Sequence, residues 1–313
     1  MLETVLSRRT ALVAAILGLA TRAGASLAAI PSYRLARSWG GLGTADGRFD
    51  GPRGIAVYQD RVYVADAFNN RVQMFTRLGT SSRTWGALGS GDGEFHQPRG
   101  VAVDRRGQVF VADTLNRRVQ VFTVTGEFVR GFGSRGVAGE RLAAPWGVAI
   151  GRGDRVYVAD SLNHEVQVFN RRGRALFSWG GLGSLEGQLS TPRGIAADPQ
   201  GRIFVVDSGN NRIQVFTAGG LFLRAWGREG SANGSFREPL DIAIDALGRV
   251  VVADSGNARV QVFTRGGRYL TGWSAATIAP SGFDPVGVAV DSLNQVYIAD
   301  ANAHRLVVFS TTG

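Results

Sequence analysis

Across 313 residues the sequence holds no Cys and no Lys; all 35 basic side chains are Arg, set against 25 Asp and Glu for a formal charge of +10. The missing Cys excludes disulfides and thiolate-bound metal, and it removes any redox clue to the compartment. With 44 Gly against 9 Pro and 44% hydrophobic residues, the chain can build a large core and has the turn content of an all-β protein rather than a helical one. The surplus of Arg favours acidic partners such as phosphates, anionic glycans, anionic lipids or nucleic acid.

Residues 1–28 have the layout of a secretory signal. Arg8-Arg9 supply a basic start, and Ala11 to Ala20 form an apolar run of ten residues, too short to span a bilayer comfortably. Ala23-Gly24-Ala25 offers a cleavage site and Ser26-Leu27-Ala28 a second. Ser7-Arg8-Arg9-Thr10-Ala11-Leu12 resembles a twin-arginine signal, with the Sec route equally open. The expected mature chain is 29–313, delivered to the periplasm or the exterior, and no later stretch is apolar for long enough to suggest a membrane span.

The rest of the chain repeats itself. Pro52, Pro98, Pro145, Pro192, Pro239 and Pro285 follow one another at intervals of 46, 47, 47, 47 and 46 residues, and each opens the same pattern. The second copy runs Pro98-Arg99-Gly100-Val101-Ala102-Val103-Asp104, then Val109-Phe110-Val111-Ala112-Asp113, then Val119-Gln120-Val121-Phe122 and Phe128-Val129-Arg130-Gly131-Phe132. Gly107 and Gly126 stand where the intervening turns need positive φ. Four short strands recurring at this period match one blade of a β-propeller. The last copy lacks a fourth strand, whereas Tyr33-Arg34-Leu35-Ala36-Arg37-Ser38-Trp39-Gly40 precedes the first and matches the fourth strands of other copies. The expectation is an all-β ring of six antiparallel four-stranded blades, closed by an N-terminal outer strand that completes the last blade.

The frame Pro-x-Gly-[Ile/Val]-Ala followed by Val-Ala-Asp-Ser-x-Asn-x-Arg-[Val/Ile]-Gln-Val-Phe resembles the NHL repeat across residues 33–313. The resemblance implies a six-bladed propeller used mostly as a binding platform, and no single activity.

Six copies separate scaffold from site. Asp66, Asp113, Asp160, Asp207, Asp254 and Asp300 end the second strand of each copy, with Asn69, Asn116, Asn163, Asn210 and Asn257 three residues on and Arg71, Arg118, Arg212, Arg259 and Arg305 two after that. Such residues can bind turn backbone and pair with one another; a metal-binding ring of carboxylates is the competing reading. Ala56, Ala102, Ala149, Ala196, Ala243 and Ala289 suggest crowding at the axis. Trp39, Trp85, Trp179, Trp226 and Trp273, with Phe132 in their place once, suggest packing between blades.

Positions that vary inside this frame are candidates for ligand contact. After the repeat Pro stand Arg53, Arg99, Trp146, Arg193, Leu240 and Val286, expected at the channel mouth. Two residues after the repeat Asp stand Phe68, Leu115, Leu162, Gly209, Gly256 and Asn302, expected on the same face. The Arg and apolar residues concentrate in blades one to three, which suits an anionic or carbohydrate-like ligand or an acidic peptide. Asp241 stands where the other blades have Gly, and Glu165 where most have Arg. Near the axis, Asp241 could bind a cation, act as a general base or pair with Arg193.

The resemblance also admits enzymes, since peptidyl-hydroxyglycine amidating lyases use His-bound zinc on similar blades and lactonase-type propellers hold axial calcium. The sequence has three His: His96 in a loop between blades, and His164 and His304 at one turn position of opposite blades. No nucleophile elbow, phosphate loop or clustered metal spacing accompanies them. The leading expectation is therefore a monomeric binding module without cofactor, for a protein, glycan or other anionic ligand of the cell envelope. A metal-dependent lyase or hydrolase using Asp241, His164 and His304 is the alternative, and nucleic-acid binding a second one.

Overall fold

The computed structural model describes residues 31–134, 141–274 and 282–312; the expected export signal, 1–28, lies outside them. The described chain forms six four-stranded antiparallel sheets. Their innermost strands are Pro52–Tyr58, Pro98–Val103, Pro145–Ile150, Pro192–Ala197, Pro239–Ile244 and Pro285–Val290, one for each of blades one to six in that order. These strands adjoin in sequence order, and blade six returns to blade one. Among the described residues no helix is long and apolar enough to cross a membrane.

The second strand of each blade is apolar without alternation, as in Val109–Asp113, because both of its faces are covered. Fourth strands are more exposed, and two of them alternate, Phe128–Phe132 and Phe222–Trp226. The core lies between blades. One cluster joins Ala56, Tyr63 and Phe95 to Val109, Val111 and Phe122 of the next blade. Trp85 wedges there, its ring 6.2 Å from Tyr63 and 6.0 Å from Phe122. Phe132 fills the same role against Phe169 at 4.9 Å. Five of the six wedges roof a turn glycine of the following blade, and the sixth, Trp273, packs on Tyr33 of the closing strand instead. Gly126 has φ +87°, and a Cβ there would lie 2.6 Å from the Trp85 ring, so both the turn and the wedge require Gly.

The ring closes as the repeat register predicts. Ser32–Gly40 pairs antiparallel with Arg305–Thr312, from Ser32 opposite Thr312 to Gly40 opposite Arg305. Trp39 on that strand reaches Phe75 of blade one at 5.9 Å and Tyr297 of blade six at 6.4 Å. Arg37 adds hydrogen bonds from Nε to the Arg77 carbonyl at 2.8 Å and from Nη2 to Gln295 Oε1 at 2.7 Å.

Crowding at the axis falls on glycine rather than on alanine. Gly54, Gly100, Gly147 and Gly287 each press against the neighbouring blade, where a Cβ would collide with the carbonyl of Arg99, Trp146, Arg193 or Arg53 respectively. The repeated Ala sits two residues further on, opposite the large second-strand side chain: Ala56 pairs with Tyr63, Ala149 with Tyr157 and Ala289 with Tyr297. Its small size makes room for those rings in the core between blades.

Candidate functional site at the channel mouth

The repeated Asp builds the frame on which the mouth rests. Asp113 is fully buried. Its Oδ2 accepts hydrogen bonds from Arg118 Nε at 2.7 Å, Asn116 Nδ2 at 2.9 Å and Gln120 Nε2 at 3.0 Å, and its Oδ1 accepts from the His96 N–H at 2.8 Å. Arg118 extends to the carbonyls of Gly91 and Glu94, so an ion pair clamps the incoming loop onto its blade. The same Asp–Arg pair recurs at Asp66–Arg71, Asp207–Arg212, Asp254–Arg259 and Asp300–Arg305. With their oxygens engaged this way, the six carboxylates hold turns. Among the described residues no three His, Asp, Glu or Cys side chains converge on a point.

Gln73, Gln120, Gln214 and Gln261 belong to this frame, although sequence reasoning assigned them no role. Each donates to the buried Asp and to a loop carbonyl, and each Oε1 accepts a glycine N–H from the same loop. The recurrence of Gln in five of the six third strands, with Val307 in its place in blade six, was the available signal. Blade three departs from the frame: Glu165 accepts from Gln167 at 2.9 Å, and Asp160 takes the N–H groups of Ala143 and Ala144, both at 2.8 Å. Burial raises the Asp160 pKa.

This frame delivers the residue after each repeat Pro to the loop side of the axis, and there the structure brings four of the expected residues together. The Arg99 guanidinium carbon lies 3.7 Å from the Trp146 ring centroid and that of Arg193 lies 4.6 Å from it, so the ring receives a cation from each adjoining blade. Arg53 lies over Phe68 at 5.7 Å. Leu240 and Val286 complete the ring as buried apolar residues.

The electrostatics are unbalanced. Burial, then the like charges of Arg53 and Arg193, pull the Arg99 pKa down to about 10. Burial also lowers Arg53 and Arg193, offset in part by Asp284 and Glu238 respectively. The Nε–H groups of Arg99 and Arg193 are buried without an acceptor among the described residues, a costly state for a charged donor. Phe68, Leu115 and Leu162 are exposed, at 47%, 46% and 66%. Chemically the arrangement is a part-buried cationic cluster beside exposed apolar side chains.

Asp241 does not pair with Arg193. Its Oδ2 accepts the Val288 N–H of blade six at 2.9 Å, and Gly194 leaves space for its backbone. Burial pushes its pKa up to about 7, against the hydrogen bonds from the backbones of Val288 and Ile242.

His164 and His304 serve turns. Both adopt left-handed φ, 55° and 50°, and their Nδ1 atoms accept the N–H of Thr191 at 3.0 Å and of Gly51 at 3.1 Å. Asn70 and Asn211 do the same with Oδ1 in blades one and four. The two imidazoles thus stand in for an Asn side chain, and they do not assemble a zinc donor set.

Comparison with known proteins bears on the fold. The family model of the NHL repeat matches residues 95–122, 142–169, 189–216, 236–263 and 284–309. No curated protein matches the sequence. Among solved structures, virginiamycin B lyase from Staphylococcus aureus is similar with a TM-score of 0.63 and 14% identity, over 89% of this chain and 99% of that one. A gluconolactonase from Xanthomonas campestris gives 0.65 and 17%, over 85% and 88%. A protein of unknown function from Bacteroides thetaiotaomicron gives 0.72 and 15%, over 90% and 76%. At these identities the likeness is one of fold. Repeat, register and ring agree: the chain belongs to the NHL-repeat proteins and is a six-bladed β-propeller.

Proposed function

We propose that this protein is an exported, non-enzymatic binding module that takes an anionic ligand on its loop-rich face over blades one to three. One observation carries this reading: Arg99 is half-buried among like charges, with an unsatisfied Nε–H and a depressed pKa. Natural proteins neutralise buried guanidinium groups with carboxylates, as five of the blades do at the repeat Asp. A cluster left short of counter-charge is built to receive one from outside. Export rests on the pattern of residues 1–28, and the mass of the mature chain tests it, with cleavage after Ala25 or Ala28 expected.

The binding test is titration of the full chain with sulfate and with a polysulfated glycan, on the wild type and on Arg99→Gln. The variant should bind both at least ~10-fold more weakly, about 1.4 kcal/mol, with its thermal midpoint held. Equal affinity in the two proteins would remove the mouth as the ligand site. A nucleic-acid ligand would show itself by a steep fall of affinity with salt.

A further inference from the structure

Around the arginine mouth runs an arc of exposed apolar side chains that the repeat frame does not need. Leu42, Leu88 and Leu182 occupy one position in the loops leading to blades one, two and four, and they are 66%, 65% and 67% exposed. Each loop is pinned by a parallel bridge from that leucine to a buried partner, Phe49, Phe95 or Leu189, so the outward side chain is held by ordered backbone. Phe68 and Leu115 are set beside the mouth by matching bonds, from their N–H groups to the carbonyls of Asp50 and His96. Leu162 follows on blade three. The opposite side is different: the loop to blade five has Glu229 at the leucine position, and blades four to six carry Gly209, Gly256 and Asn302 at the turn. Exposed apolar area gathered on one side of a repeat ring marks an interaction surface.

We propose that the occupant of this face is an acidic segment of a partner polypeptide, its carboxylates entering the arginine mouth and its apolar side chains resting on the arc. The inference rests on the reading of the mouth as an anion site. Charge complementarity and relief select this partner. The Nε–H groups of Arg99 and Arg193 are buried whereas the leucines are exposed, so a flat membrane or a stiff duplex meets apolar side chains without bringing its phosphates to the buried donors. An extended peptide carries carboxylates on short projecting arms and can place apolar side chains between them. Arg–carboxylate geometry then supplies the directional contacts and the arc supplies the buried area.

The test uses the full chain and a panel of short peptides combining Asp with Leu and Phe, beside control panels with Asp replaced by Asn or the apolar residues by Ser. Inorganic sulfate, anionic phospholipid vesicles and an oligonucleotide are run in parallel. Leu88→Ser and Leu115→Ser together should weaken the acidic–apolar peptides by about 10-fold or more and leave sulfate affinity unchanged, whereas Arg99→Gln should weaken both. If the serine variant binds the peptides as tightly as the wild type while Arg99→Gln does not, the arc is overturned and the anion site stands. If Arg99→Gln changes neither ligand, both readings fall. Leucine-dependent binding of vesicles or oligonucleotide in preference to every peptide also overturns the proposal.

Discussion

The Arg99 guanidinium and the Trp146 ring, on adjoining blades, lie 3.7 Å apart. Trp146 holds the cation in place without neutralising it, which keeps the charge available at the mouth. Trp146→Ala is expected to weaken sulfate and peptide binding by an amount in the range of a cation–π contact, about 0.5–2 kcal/mol, with little change in thermal midpoint. Because the Arg99 pKa stands near 10, anion affinity should fall as pH rises through that value, earlier than an ordinary Arg would allow. Titration of sulfate binding from neutral to alkaline pH reads this out.

Asp241 makes stability depend on pH. A carboxyl raised to about 7 when folded binds a proton more tightly folded than unfolded. Its stabilising contribution is therefore complete below the ordinary carboxylate range and is lost as pH rises to about 7. Urea midpoints of the wild type should fall across that window relative to Asp241→Asn, and parallel profiles would refute the assignment.

Asp113 and Arg118 test the frame. The carboxylate is fully buried and the Arg side chain 11% exposed. Asp113→Ala strands the guanidinium and several loop donors, and is expected to cost about 3–5 kcal/mol in chemical denaturation. Gly100→Ala probes the axis: its Cβ would collide with the Trp146 carbonyl, at a cost of about 1–3 kcal/mol.

Deleting residues 29–40 removes the partner of Arg305–Thr312. The shortened protein should melt at lower temperature and self-associate through the bared strand edge, which calorimetry and light scattering will show.

Much of this was legible in the sequence because the repeat carries the fold. Six prolines at near-equal intervals fixed the blades, and Tyr33–Trp39 betrayed the closing strand. The mouth was partly legible too. Arg53, Arg99, Trp146 and Arg193 vary inside a constant frame, and a step of one repeat is a step to the next blade, so their adjacency follows. Their burial and missing counter-charges do not follow, since those depend on which loop lies over them. The turn-holding role of His164, accepting the Thr191 N–H, was not legible because it joins residues 27 apart across a blade boundary. Crowding at the axis was assigned to Ala rather than Gly for a similar reason: Gly54 meets the neighbouring blade's backbone and Ala56 lies opposite Tyr63 only once the strands have paired.

The strand Ser32–Gly40 is made some 270 residues before its partner Arg305–Thr312. Until that partner appears it has no sheet to join. Closing the ring therefore needs an encounter between segments far apart in the order of synthesis, and a strand that waits for its partner is an edge that other chains can pair with.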